Sequence, residues 1–109
     1  MPSRTTRPRA ITLLAGAALW LAAAAQAATF VYVANADSQD ISVLELDRAQ
    51  GLLKPVDTVA VAGTVMPMAV SPDKRFLYAA LRSQPFRVAS FAIDGASGRL
   101  RKLGEAPLA

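Results

Sequence analysis

The chain has 109 residues, with 12 Lys and Arg against 8 Asp and Glu for a formal charge of +4, 53% apolar residues, and neither Cys nor His. That length holds one small domain at most. The missing imidazole and thiol exclude a Ser–His triad, a Cys–His pair, thiol redox chemistry and the usual zinc sites, so any catalysis must rest on carboxylates, Arg, Lys and backbone groups.

The first 27 residues differ in composition from the rest. Arg4, Arg7 and Arg9 stand together with no acid, followed by an uncharged run from Ala10 to Ala25 that carries Ile11, Leu13, Leu14, Leu19, Trp20 and Leu21. A basic segment, an apolar helix and the small residues of Ala25-Gln26-Ala27 followed by Ala28 predict a signal peptide cleaved after Ala27, and so a periplasmic or secreted product. The run is shorter and richer in Ala than the roughly 20 strongly apolar residues of a spanning helix, so no stable membrane anchor is expected. No Arg-Arg pair is present, which favours the ordinary secretory route over the twin-arginine one. Without the leader, 82 residues remain with nine basic and eight acidic side chains. That balance offers no concentrated positive surface, and nucleic acid is set aside as a partner.

From Thr29 onward the sequence reads as β-formers in short runs separated by turns, an all-β chain. Thr29 to Ala34 is apolar on both faces, which predicts a strand sandwiched between two layers. Asn35 to Asp40 is a polar break, Ile41 to Leu46 a second strand, Asp47 to Gly51 a turn, and Leu53 to Val61 a third strand. Val65 to Val70 is stopped at Ser71-Pro72-Asp73-Lys74-Arg75, where Pro72 presets φ for a tight turn and the Ser71 and Asp73 side chains can bond nearby backbone N–H groups. Strands then follow at Phe76 to Leu81, Arg87 to Ile93 and Arg101 to Ala106.

The pattern repeats. Phe30-Val31-Tyr32 returns as Phe76-Leu77-Tyr78 after 46 residues, while Leu44-Glu45-Leu46-Asp47 returns as Phe91-Ala92-Ile93-Asp94, and Gly51-Leu52-Leu53 as Gly98-Arg99-Leu100, after 47. The extra residue falls in the polar break. A period of this length with four short strands per unit predicts β-propeller blades, about two four-stranded antiparallel units in an incomplete ring. Unit one covers residues 29–62 and starts at its second strand, the missing inner strand coming from elsewhere; unit two covers 63–109. One end of the sheets would carry Asn35 to Asp40, Met66, Pro67 and Arg82 to Phe86.

Val65-Met66-Pro67-Met68-Ala69-Val70-Ser71-Pro72-Asp73-Lys74-Arg75-Phe76-Leu77-Tyr78, followed by Arg82-Ser83-Gln84-Pro85-Phe86-Arg87-Val88, resembles the opening blades of the bacterial 6-phosphogluconolactonases of the seven-bladed propeller type, the lactonase or cycloisomerase-2 family. Phe30 to Ala34 and Ile41 to Val43 match the start of that family. The resemblance implies hydrolysis of a sugar-type lactone: water activated by a general base attacks the carbonyl, and positive or N–H groups stabilise the oxyanion. It implies a small-molecule lactone as partner, no cofactor and no metal. The family's substrate is a cytoplasmic metabolite, so an exported relative would meet a different lactone.

Arg can hold an anionic substituent through paired hydrogen bonds. Arg82, between a strand and the loop end, and Asn35, on the same end, are the substrate-contact candidates; Arg87 reads as structural. The family's acid–base residues belong to later blades, one being a His with no counterpart here, so no catalytic residue is named. Asp37 and Asp40 read as turn formers, two acids falling short of the 6 to 8 oxygen ligands of a calcium site. Gly95 to Gly98 reads as a hairpin turn, since no helix follows it to cradle a phosphate. The alternatives are a non-catalytic exported propeller of the Tyr-Val-Thr-Asn repeat type, matched by Tyr32-Val33-Ala34-Asn35, and an inactive fragment. Two blades leave sheet faces and an edge uncovered, so the chain is expected to need further blades, to self-associate or to fold poorly.

Overall fold

The computed structural model describes residues 27–108; the expected signal helix, with Ala25, lies outside them. Seven strands follow in order: β1 (Thr29–Asn35), β2 (Asp40–Asp47), β3 (Leu52–Ala60), β4 (Val65–Val70), β5 (Phe76–Leu81), β6 (Arg87–Ile93) and β7 (Leu100–Pro107). They form two antiparallel meanders, a three-stranded sheet β1-β2-β3 and a four-stranded sheet β4-β5-β6-β7. The first unit has three strands among the described residues, as expected of a unit that starts at its second strand, and the second has all four. In the first, β1 pairs only with β2, whereas the equivalent β5 lies between β4 and β6.

The repeat extends to backbone detail. Between β2 and β3 the register shifts after Val43, so Val56 has no partner; between β6 and β7 it shifts after Ser90, so Leu103 has none. Each is a β-bulge that bends its strand, and the two lie 47 residues apart. Both hairpin turns after these middle strands are built alike. The Gly51 N–H donates to the Asp47 carbonyl at 2.7 Å and the Gly98 N–H to the Asp94 carbonyl at 2.7 Å. The Asp47 carboxylate accepts from the Ala49 N–H at 3.0 Å and that of Asp94 from the Ala96 N–H at 3.1 Å. Gly51 and Gly98 hold φ of 69° and 77°, the left-handed region that a Cβ disfavours. The extra residue of the second period lies in the β5–β6 loop, which contains the cis Gln84–Pro85 bond.

The Ser71–Arg75 turn forms as its side chains dictate. The Lys74 N–H reaches the Ser71 carbonyl at 2.8 Å, the Ser71 hydroxyl donates to Asp73 at 2.6 Å and accepts the Phe76 N–H at 3.0 Å. The Asp73 carboxyl is held below the usual carboxylate range, first by the Ser71 hydroxyl and then by the Arg75 N–H.

The core lies between the sheets. Ile41 from the first packs with Val65, Leu77, Ala79, Leu81, Ala89 and Phe91 of the second, all essentially without solvent access. Alternation along β5 explains why Leu77, Ala79 and Leu81 are buried and Tyr78 is not. Tyr32, Ala34 and Val59 add the inward face of the first sheet. β1 is covered on that face only: Val33, on the opposite side, is 40% exposed, so the expected two-sided sandwich is corrected to a one-sided one.

Phe30 and Phe76 occupy equivalent positions with different neighbours. A Cβ on Gly98 would lie 2.5 Å from the Phe30 ring, so the ring lies directly against the glycine. Beside it the Tyr32 hydroxyl donates to the Gly98 carbonyl at 2.7 Å, and burial raises the Tyr32 pKa. Phe76 instead has the Arg75 guanidinium over its ring at 5.6 Å.

Candidate functional site

The β1–β2 loop, the β3–β4 connection and the β5–β6 loop converge at one end of the sheets. The Val61 N–H donates to the Gln39 carbonyl at 2.9 Å and the Arg82 N–H to the Thr64 carbonyl at 2.7 Å. The Ser83 hydroxyl accepts the Thr64 N–H at 2.8 Å and donates to the Thr64 hydroxyl at 3.1 Å. These bonds fix the path of the backbone on either side of Arg82.

Arg82 itself is exposed. Its guanidinium forms no ion pair with any of the described residues. A planar cation with five N–H donors is thus presented on a backbone held at both sides, which suits a carboxylate, a phosphate or a developing oxyanion.

Asn35 is committed differently. Its amide nitrogen donates to the Asp40 carboxylate at 2.8 Å and to the Ser42 hydroxyl at 2.8 Å, and Ser38 also donates to Asp40 at 3.0 Å. Both amide hydrogens are consumed in closing the β1–β2 loop, so only the Asn35 carbonyl oxygen is left to meet a ligand. Asp40 accepts from two side chains in this loop, as its reading as a turn former requires. Asp37 is exposed at the loop tip. Among the described residues no three Asp or Glu side chains cluster where they could hold a metal.

Arg87 brackets the loops. Its Nε pairs with Glu105 at 2.9 Å, Nη1 donates to the Pro85 carbonyl at 2.5 Å, and Nη2 reaches the Ala62 carbonyl. With its side chain only 17% exposed, it joins the β3–β4 connection, the β5–β6 loop and β7. The Glu105 carboxyl is held below its usual range chiefly by Lys102 at 2.6 Å and also by Arg87. A hollow between Pro85, Phe86, Arg87 and residues 105–107 lies beside this bracket.

The sequence placed Arg82, Asn35 and Phe86 at this end; β5 stops at Leu81 and β6 starts at Arg87 as predicted, while Asn35, expected in the polar break, is the last residue of β1. It did not reveal the Ser83–Thr64 clasp or the carbonyl acceptors of Arg87. The clasp joins residues 19 positions apart through two hydroxyls and a backbone N–H, and Arg87 reaches a carbonyl 25 positions away, so neither contact follows from a local pattern.

The profile of the family described as "Lactonase, 7-bladed beta-propeller" matches residues 24–108, most of the chain. The chain belongs to this lactonase family. Among curated relatives, the 6-phosphogluconolactonase of Cronobacter sakazakii is 46% identical over 78 residues, covering 72% of this chain and 23% of that protein. The 6-phosphogluconolactonase of Pectobacterium atrosepticum is 49% identical over the same span. A Bacteroides uniformis crystal structure described as a candidate 6-phosphogluconolactonase superposes with a TM-score of 0.67 at 26% identity, over 72% of this chain and 24% of that one. The periplasmic gluconolactonase of Pseudomonas aeruginosa shares the fold, with a TM-score of 0.54 at 24% identity over 77% of this chain and 28% of that one.

The lactonase-family chain described here spans about a quarter of the length of the curated relatives it matches. Its seven strands are lactonase propeller blades, and the loop end carrying Arg82 is one end of those blades.

Proposed function

We propose that this chain is the front part of an exported lactonase-family propeller that opens a sugar-type lactone, with Arg82 as its contribution to substrate binding. The observation that carries the reading is the exposed Arg82 guanidinium, on a backbone clamped by Thr64 and Ser83, within a chain matched to the lactonase family over residues 24–108. Arg82 holds an anionic group of the substrate, the Asn35 carbonyl oxygen accepts from a sugar hydroxyl, and the general base that activates water comes from further blades. The leader directs the product to the periplasm, with cleavage between Ala27 and Ala28. A lactone found in that compartment is then the substrate.

The test compares the purified chain with its Arg82→Ala variant. Isothermal titration with 6-phosphogluconate and with gluconate, which share the carboxylate and differ by the phosphate, probes which anionic group is held. Binding of either compound that falls ten-fold or more on Arg82→Ala is the expected result, since a charge-assisted hydrogen bond is worth about 1.5–3 kcal/mol. Hydrolysis of the lactone of either acid is expected to stay at the uncatalysed rate. Binding unchanged by Arg82→Ala, or turnover by this chain alone, overturns the assignment. Amino-terminal sequencing of exported material should begin at Ala28; an intact Met1 would remove the periplasmic part of the reading.

The locked Asn35 amide favours a second reading at that one position. If only Arg82 affects binding and Asn35→Ala does not, Asn35 is a loop clasp, as in a propeller whose blades serve to bind partners.

A further inference from the structure

The Arg82 guanidinium has no ion-pair partner among the described residues, so the backbone that carries it decides where it points. That backbone is tied to residues 61–64, which cross from the end of β3 to the start of β4. Three of these four residues supply bonds. The Val61 N–H donates to the Gln39 carbonyl at 2.9 Å, the Ala62 carbonyl accepts from Arg87, and the Thr64 carbonyl accepts the Arg82 N–H at 2.7 Å. Thr64 also gives its N–H to the Ser83 hydroxyl at 2.8 Å, while that hydroxyl donates to the Thr64 hydroxyl at 3.1 Å. The Ser83 carbonyl accepts from Arg87 Nη1 at 3.5 Å. The crossing segment thus links the β1–β2 loop of one blade to the β5–β6 loop of the next.

Gly63, the remaining residue of the four, supplies room. It is buried, and a Cβ on it would lie 3.2 Å from both Cβ and Oγ of Ser83 and 3.5 Å from Arg87 Nη2. Ser83 can close on Thr64 because its neighbour carries no side chain.

The first blade shows that such a loop does not need this arrangement to close. Counting back 46 from Arg82 and Ser83 gives Ala36 and Asp37, in the β1–β2 loop. That loop is closed from within its own hairpin, by Asn35, Ser38, Asp40 and Ser42. In the second blade the hydroxyl next to Arg82 bonds outside its hairpin, to the crossing segment. The blade that carries a charge at this position is the one whose loop is anchored to its neighbour; the blade with Ala36 there is not.

We propose that Ser83 and Gly63 are positioning residues for Arg82, holding its backbone at the pose from which the guanidinium meets an anionic substrate group, an inference that rests on Arg82 as the substrate contact. Neither touches the substrate. Their effect passes through Arg82 because a planar fork forms paired hydrogen bonds only over a narrow range of positions, whereas the ammonium of a Lys on its flexible stem tolerates displacement. All the contacts involved lie within or between the two blades of this chain.

The test is isothermal titration of the purified chain with 6-phosphogluconate, each variant first shown by urea unfolding to be folded. Ser83→Ala should weaken binding about 2- to 10-fold, the range for one hydrogen bond, and Ser83→Thr, which keeps the hydroxyl, should restore most of it. Gly63→Ala removes no hydrogen-bonding group but pushes Ser83 away from Thr64, and it should weaken binding in the same direction. In the Arg82→Lys chain the further change Ser83→Ala should cost less than about two-fold, since the group that depends on the pose is gone. Binding that falls on Arg82→Ala but is indifferent to Ser83→Ala and Gly63→Ala leaves Arg82 its role and overturns the positioning. An equal loss from Ser83→Ala in the parent and the Arg82→Lys chain also overturns it, because the clasp would then act on binding by a route other than Arg82. Binding unchanged by Arg82→Ala removes the substrate contact itself, and with it the group to be positioned. If Ser83→Ala does not fold, Gly63→Ala in the parent and Arg82→Lys chains decides the matter by the same comparison.

Discussion

Gly51 and Gly98 do the same work in their turns and differ only in what stands above them, which makes them a controlled pair. Alanine at either site must adopt the left-handed backbone, costing about 1–2 kcal/mol. At Gly98 the methyl also enters the Phe30 ring, and forced overpacking adds about 1–3 kcal/mol. Urea unfolding at a dilution where the chain is monomeric should therefore show Gly98→Ala losing roughly twice what Gly51→Ala loses. Equal losses would mean that the ring moves aside at little cost and that the blade contact is loose. The two glycines were legible in the sequence as a repeat, and their turn chemistry followed from the Asp four residues earlier. The ring over Gly98 was not legible, because Phe30 and Gly98 are brought together by the stacking of two sheets and not by any local pattern.

Strand by strand, the sequence was easiest to read where one face had to be buried. β5 and β6 alternate cleanly, and the Ser71–Arg75 turn that precedes β5 carries its own hydrogen-bonding side chains. β1 was read less well. Its apolar residues on both faces implied two covering layers, and the structure covers one. The two arginines at the loop end show the same boundary: position along the chain separated Arg87 as structural from Arg82, but the acceptors that make Arg87 a bracket lie on three backbone segments and could not be read, while Arg82 forms no ion pair among the described residues. That difference is testable. Arg87→Ala removes the bonds to Ala62, Pro85 and Glu105 together, and it is expected to cost about 1.5–3 kcal/mol in urea unfolding, the range for a hydrogen-bonded charge. Arg87→Lys should recover little of this, since an ammonium cannot span acceptors that lie on different segments. Arg82→Ala should leave stability within about 0.5 kcal/mol of the parent, as for other surface substitutions. If Arg82→Ala is the more destabilising of the two, the roles assigned at this end are reversed.

For the molecule as a whole, the blades are held by one apolar layer between two sheets, and their hairpins are tied by carboxylates. Asp73, Asp94 and Glu105 all hold pKa values below their usual range, because N–H, hydroxyl or ammonium donors favour the charged form. For Asp94 the leading donors are the Ala96 N–H and the Ser97 hydroxyl. A folded-state value below the unfolded one contributes stability that is complete above the unfolded pKa, near 4 for these groups, and is lost as pH falls through the folded value. Stability should therefore be flat from pH 7 to about 5 and decline below about 4. Acidification also strips the negative charges that balance the Lys and Arg side chains, so repulsion grows in the same direction. The urea midpoint followed from pH 7 to 2 should show this decline, and Asp94→Asn should make it shallower while lowering the plateau at neutral pH. A midpoint that rises on acidification would mean that these carboxylates repel their surroundings in the folded chain, and the hairpin bonds described for Asp73 and Asp94 could not then be what holds the blade turns closed.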